Sequence, residues 1–174
     1  MPRHRHWPVT MQAGGVVLRP MRRADEARWT TTRELDWDWL GPWEATKPPG
    51  SHERVGGYRM MITRNRRRAK QGTSLPGAIG WDDGWPDHPA LNRDTTPLIG
   101  QLTVSSISFG SAMSCSMGYW VASAYAGRGV APTAVALACD YVFQVMGLHR
   151  VEICVRPENT KSLRVVEKLG LAEE

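Results

Sequence analysis

Residues 126 to 132 read AGRGVAP, two glycines around one arginine, just ahead of an apolar helical pattern. The start of a helix carries unpaired backbone N–H groups and roughly half a positive charge. Glycines let a ligand approach those groups closely, and Arg128 adds a full charge. This suits a phosphate or diphosphate. A tight turn that binds nothing has the same composition, so the loop by itself leaves both readings open. Two phosphate motifs do not fit. GxxxxGK followed by Ser or Thr is absent, and Gly127, Gly129 and Pro132 spell GxGxxP rather than the dinucleotide fingerprint. The next strand ends in Arg156 rather than an acid, and too little chain follows it to complete a doubly wound sheet.

Metal chemistry has no support. His4, His6, His52, His88 and His149 are scattered, and Cys115, Cys139 and Cys154 form no CxxC pair. An odd number of unpaired cysteines fits a reduced, cytoplasmic chain in which they pack.

The elements that must position the loop are legible in outline. VVLRPM (16 to 21) predicts a strand ending at Pro20. Residues 24 to 40 predict a helix, broken within its length, that Gly41-Pro42 stops. A helix from about Ser51 to Lys70 places Val55, Tyr58 and Ile62 on one face, and Gly72 ends it. SLPGAIGW holds a short strand, and WDDGWPDHPALNRDTTP reads as a surface loop. Strands at 97 to 107 and 114 to 121 are joined by a hairpin through FGSA. Pro132 suits the first position of the next helix, with Val135, Cys139, Val142, Phe143 and Met146 inward and Gly147 as the stop. Val151, Ile153 and Val155 alternate as a half-buried strand. A last helix is capped by Asn159, turns Leu163, Val166 and Leu169 inward, and closes at Gly170 and Leu171 in the Schellman manner. The order of elements predicts one mixed α/β domain over residues 1–174.

At 174 residues, 41% hydrophobic and 22% charged, the chain can bury its own core, and no apolar run reaches membrane-spanning length. MPRHRHWPVT lacks the apolar centre of a signal peptide. The net charge of +5 suits an anionic ligand or an RNA-rich assembly. Much of it comes from TRNRRRAK, residues 63 to 70, which reads as the solvated end of a helix or as an RNA contact. No aromatic residue interleaves the run to stack on bases.

Taken in order, VVLRPM, WLGPWEATKP, LIGQLTV, GYWV, AGRGVA, the helix PTAVALACDYVFQVMGLHRVEICV and PENTKSLRVVEKLGL resemble the GNAT superfamily of acyl-CoA-dependent N-acetyltransferases. Within it they resemble the branch that acetylates ribosomal-protein N-termini. The likeness covers most of the chain, weakest at 73 to 97. It implies a central, mostly antiparallel sheet flanked by helices, acetyl-CoA as co-substrate, no metal, and a protein N-terminus as acceptor. A small-amine acceptor and a non-catalytic acyl-CoA-binding module are its alternatives, and a monomer or homodimer is expected. The family loop, Gln or Arg-x-x-Gly-x-Gly or Ala, falls on Ala126, Gly129 and Ala131, so Ala126 replaces the usual long polar side chain. Gly127, Arg128, Gly129, Val130 and Ala131 would then hold the diphosphate. Tyr119, Trp120 and Val121 would flank the pantetheine arm, and Asn159 would hydrogen-bond it. The family fold continues past KLGL with two further strands. The sequence ends at Glu174, so the resemblance implies a domain cut short there.

In this family an amine attacks the thioester directly. Freeing an α-amine at pH 7 costs about 1.4 kcal/mol, against about 4.6 kcal/mol for a lysine amine. An N-terminal acceptor therefore needs only a weak base, and oxyanion donors with good positioning supply most of the rate. Backbone N–H groups of Trp120 and Val121 are the expected oxyanion donors. The family's thiolate-protonating tyrosine falls at Val166, and the hydroxyl of Ser162 is its substitute, near the leaving sulfur. Glu44 is the expected base or anchor for the acceptor amine. Trp37, Trp39, Trp43 and Tyr119 are expected to line the acceptor pocket or to pack in the core.

Overall fold

The computed structural model describes residues 7–44, 57–82 and 96–174. Six strands form one sheet in sequence order: β1 (Met11–Ala13), β2 (Val16–Pro20), β3 (Leu75–Trp81), β4 (Leu98–Ser108), β5 (Ser114–Val121) and β6 (Arg150–Glu152). Each neighbouring pair is antiparallel except β5 and β6, which run parallel. The helices are α1 (Glu26–Leu35), α2 (Trp37–Leu40), α3 (Tyr58–Lys70), α4 (Val130–Asp140) and α5 (Thr160–Lys168). This is the mixed α/β sheet with flanking helices that the residue patterns imply.

Both faces of the sheet are covered, so two apolar layers form. On one face Val16, Leu18, Ile79, Ile99, Leu102 and Val104 pack with Ala134, Val135, Ala138 and Val142 of α4 and its continuation. The small residues of α4 let the helix lie close to the strands. On the other face Met21, Ala78 and Leu98 pack with Tyr58 and Ile62 of α3, with Trp29 and Trp120 beside them. Each fully buried large side chain stabilises the fold by about 1.5–3 kcal/mol relative to exposure. The second layer also holds Arg19, which is 1% exposed. Its guanidinium donates to both oxygens of Asp25, to the carbonyls of Thr96 and Pro20, and so leaves no buried charge unpaired.

Gly100 permits the closest approach at the centre. A Cβ there would stand 2.4 Å from the Trp120 carbonyl oxygen and 3.1 Å from Val121 Cα. Any side chain at that position pushes away the end of β5, which the site requires in place.

Several local expectations shift. Gly41-Pro42 does not stop the chain's helical course, which continues as a 3-10 turn over Gly41–Trp43. The helix expected from Ser51, with Val55, is described only from Tyr58, and most of the loop at 81 to 97 lies outside the described residues, as do His4, His6, His52 and His88. Pro132 is the third residue of α4 rather than the first, because Gly129 at φ 79° serves as N-cap and Val130 opens the helix. Third position still costs nothing, since that N–H has no helical partner. Phe143 is 42% exposed rather than inward. The helix widens into a π-turn over Tyr141–Val145, which changes its phase and buries Tyr141 and Val142 instead. The half-buried alternation of 151 to 155 holds, but only Arg150–Glu152 pairs with β5. At the end of α5, Leu171 N–H donates to Val166 and Gly170 N–H to Glu167, which is the Schellman pattern. Among the described residues no helix is long and apolar enough to cross a membrane.

Candidate functional site

The site starts from a ladder that stops early. Antiparallel bonding between β4 and β5 alternates, and Ala122 N–H donates to the Ile99 carbonyl at 2.8 Å. In that register the main-chain groups of Gly118 and Trp120 face β4, while those of Met117, Tyr119 and Val121 face the other way. On that other side the parallel pairing with β6 runs from Ser114–Arg150 to Ser116–Glu152 and ends. Residues 153–156 make no ladder with β5. The edge of β5 from Met117 to Val121 therefore borders a slot among the described residues. Into it point the N–H and C=O of Tyr119 and the N–H of Val121. The Val121 carbonyl accepts the indole N–H of Trp39 at 3.1 Å.

The first turn of α5 forms the opposite wall. Asn159 Oδ1 accepts the Ser162 N–H at 3.1 Å, which caps the helix and fixes the Asn159 side chain. That leaves Asn159 Nδ2 as the end that can donate to a ligand. The Tyr119 hydroxyl reaches the Ser162 carbonyl at 3.5 Å, so Ser162 lies across the slot from Tyr119. Burial pushes the Tyr119 hydroxyl above its ordinary value, and the contact with Ser162 offsets this only in part. The hydroxyl is neutral at physiological pH.

The slot leads to the glycine loop. A 3-10 turn (Ser123–Tyr125) follows β5, and Gly127 and Gly129 take φ 75° and 79°, a conformation that favours glycine. Gly129 caps α4 without any side-chain bond to the helix amides. The N–H groups of Val130 and Ala131 are thus among the orphan donors of the first turn. A Cβ at Gly127 or Gly129 would meet no protein atom within 4 Å, so the space over the loop is open. Ala126, Gly127 and Arg128 are exposed, and the Arg128 guanidinium lies 5.7 Å from the Tyr125 ring centre. A diphosphate fits here: open space, unpaired amides, a helix start and one cation.

A third wall comes from α1 and α2. The Arg33 guanidinium stacks over Trp29 at 4.7 Å and Trp120 at 5.5 Å, and it is ion-paired with Glu44. Trp29 also donates to Gln101 on β4 at 2.9 Å. Asp36, at the break between α1 and α2, accepts from both Ser123 N–H (2.6 Å) and Ser123 Oγ (2.7 Å). Lys161 places its ammonium 3.6 Å from the Trp39 ring centre.

Tyr119, Val121, Asn159, Ser162 and Trp39 thus meet around one slot, with Gly127 to Ala131 at its end. Trp120 stands apart from them. Its amide faces β4 and its side chain packs in the second layer, under Arg33. Glu44 sits with that arginine, 40% exposed at its side chain. Trp37 and Trp43 are 59% and 40% exposed. Arg33, Asp36 and Lys161 went unread in the sequence. The spacing of Trp29 and Arg33, one helical turn apart, was the available signal for the first.

Known proteins give the same picture. Residues 16–172 match the acetyltransferase (GNAT) domain. The solved structure of Mycobacterium smegmatis RimJ in complex with CoA-disulfide superimposes with a TM-score of 0.81 and 34% identity, covering 97% of this chain and 78% of that one. The ribosomal protein uS5-alanine N-acetyltransferase of Escherichia coli (strain K12) is 24% identical over 95% of this chain and 79% of its own. The probable N-acetyltransferase YjcK of Bacillus subtilis is 39% identical over 77 residues, which are 44% of this chain and 42% of YjcK. The E. coli spermidine N(1)-acetyltransferase is 40% identical over 50 residues, 27% of its length. With a matching domain from Val16 to the last turn, a sheet that opens beside β5 and a relative alike over almost its whole length, the chain belongs to the GNAT acetyltransferase family.

Proposed function

We propose that this chain transfers the acetyl group of acetyl-CoA to the N-terminal α-amine of a protein, with a ribosomal protein as the acceptor, in the cytoplasm. The observation that carries the donor side is the unpaired edge of β5 leading straight to the open amides at the start of α4. The acceptor side draws on the relatives that act on ribosomal-protein alanine.

Bound acetyl-CoA supplies an activated acyl group and a thiolate leaving group. Amides from Gly127 to Ala131, with Arg128, hold its diphosphate. Main-chain groups of Val121, together with Asn159 Nδ2, orient the pantetheine arm as one more strand. The thioester end lies farther from the loop than the arm does. The Tyr119 N–H is therefore the donor aimed at the carbonyl oxygen as negative charge develops there. This moves the oxyanion role back from Trp120 and Val121 by the alternation of the strand. Ser162 Oγ, across from Tyr119, delivers a proton to the departing sulfur.

Glu44, engaged by Arg33 through one oxygen, anchors the acceptor ammonium rather than removing its proton. An α-amine loses its proton to water at a cost of about 1.4 kcal/mol at pH 7. Trp39 and Trp43 line the acceptor's approach. A polyamine acceptor, the substrate named for the spermidine relative, requires several free carboxylates, whereas the carboxylate at this wall is already neutralised by a guanidinium.

The test is acetyl-CoA consumption with a panel of N-terminal peptides, polyamines and aminoglycosides. Turnover is expected with peptides starting in a small residue. Turnover with spermidine alone would replace the acceptor, and tight CoA binding with no turnover on any amine would remove the catalytic reading.

A further inference from the structure

The outer face of α3 takes no part in the slot, the loop or either core layer. Its inner face buries Tyr58, Ile62, Asn65 and Ala69. Its outer face presents Met60, Thr63, Arg64, Arg67 and Arg68, with Lys70 at the end, all exposed. No Asp or Glu occurs between residues 57 and 81. Arg59 is ion-paired with Glu26 at 2.7 Å. Among the described residues no carboxylate forms an ion pair with Arg64, Arg67, Arg68 or Lys70. The cations of α3 alone match the net charge of the chain, so the rest is close to neutral.

A solvated helix end explains only part of this. Cations in a last turn complement the helix dipole, which accounts for Arg67, Arg68 and Lys70. Arg64 lies before that turn. Arg64 also sits three and four residues from Arg67 and Arg68, where like charges face and repel. The helix keeps a cost that nothing within the described chain offsets. An external polyanion offsets it.

We infer that this face docks the phosphate backbone of folded RNA. The cations are guanidinium groups at every exposed turn but the last, and guanidinium binds phosphate in bidentate fashion. Met60 is the one large apolar side chain on the face, too little to enter a membrane. No aromatic residue stands among the arginines to stack on unpaired bases, which favours backbone contact with a helical RNA over capture of a single strand. The choice of RNA over another polyanion rests on the ribosomal acceptor proposed above. α3 packs beside α1, which carries Arg33 and through it Glu44, so the basic face flanks the acceptor side.

The experiment is fluorescence anisotropy of a labelled RNA hairpin titrated with the full chain over a salt series, without acetyl donor. Binding should weaken with salt. The triple variant R64Q/R67Q/R68Q should bind at least tenfold more weakly at low salt, and its log K against log salt slope should be shallower by about two. The lysine variant R64K/R67K/R68K should keep the slope, which separates charge from folding. Peptide acetylation by both variants should match the parent. Unchanged RNA affinity in the glutamine variant overturns the inference. So does parent binding of polyglutamate-competed type, in which a polyglutamate-binding patch is absent but a DNA duplex of equal length binds as tightly as the hairpin. RNA binding with no acetylation of any N-terminal peptide would uphold this face while removing the acceptor reading.

Discussion

Trp39 shows how one side chain sets the terms of the site. Its indole N–H holds the Val121 carbonyl, the acceptor that a strand-like ligand would use on that edge. The arm must share or displace that bond. Trp39→Phe keeps the ring and removes the donor, so the KM for acetyl-CoA should fall several-fold, read in steady-state kinetics. A rise would mean the indole supports the arm instead. Ser162 makes a second test at this scale. Its backbone N–H holds the Asn159 cap and is untouched by Ser162→Ala. We expect kcat to fall about tenfold with the KM for acetyl-CoA unchanged, since a thiolate needs only modest help to leave. A silent substitution would end the role given to that hydroxyl. The residue types and spacing of Asn159 and Ser162 were readable in the sequence. The stacking of Arg33 on Trp120 and the clasp of Asp36 on Ser123 were not, because their partners lie 87 residues apart in each case and no local period encodes them.

At the scale of elements, the strand from Ser114 to Val121 was readable to its ends, because alternation on a half-buried face marks a strand directly. The start of α4 was misread by two residues, since a glycine N-cap at positive φ leaves little trace and proline is tolerated anywhere in a first turn. The early end of the β5–β6 ladder could not be read at all. Val151, Ile153 and Val155 keep their alternation past the point where pairing stops, so pattern reports burial there and not bonding. α5 offers a prediction that separates its two duties. Asn159→Asp keeps an oxygen for the Ser162 amide, while Asn159→Ala loses it and should destabilise by about 1 kcal/mol. Both lose the donor for the arm. CoA affinity, by calorimetry, should therefore fall in both, with the melting temperature lowered only in the alanine variant.

Across the whole molecule, stability against pH tests the packing around β5. Cys115 is 2% exposed, and burial pushes its thiol from 9.0 up to about 11. The raised value means the folded state holds its proton longer than the unfolded one. The thiol's contribution is intact below pH 9 and is lost as pH rises from 9 through 11, by about 1.4 kcal/mol for each unit. Urea unfolding between pH 8 and 10.5 should show a steeper loss in the parent than in Cys115→Ala, and equal slopes would mean the thiol is not shielded as described.

The slot beside β5 recognises its ligand through main-chain groups, and the loop does so largely as well. Backbone is supplied by every sequence that folds this way, so mutation can rewrite side chains on the far wall without disturbing how the acyl carrier is gripped. Drift is then free to change the amine and constrained to keep the carrier. Relatives named for a ribosomal protein and for spermidine, sharing one architecture, are what such a division of labour leaves behind.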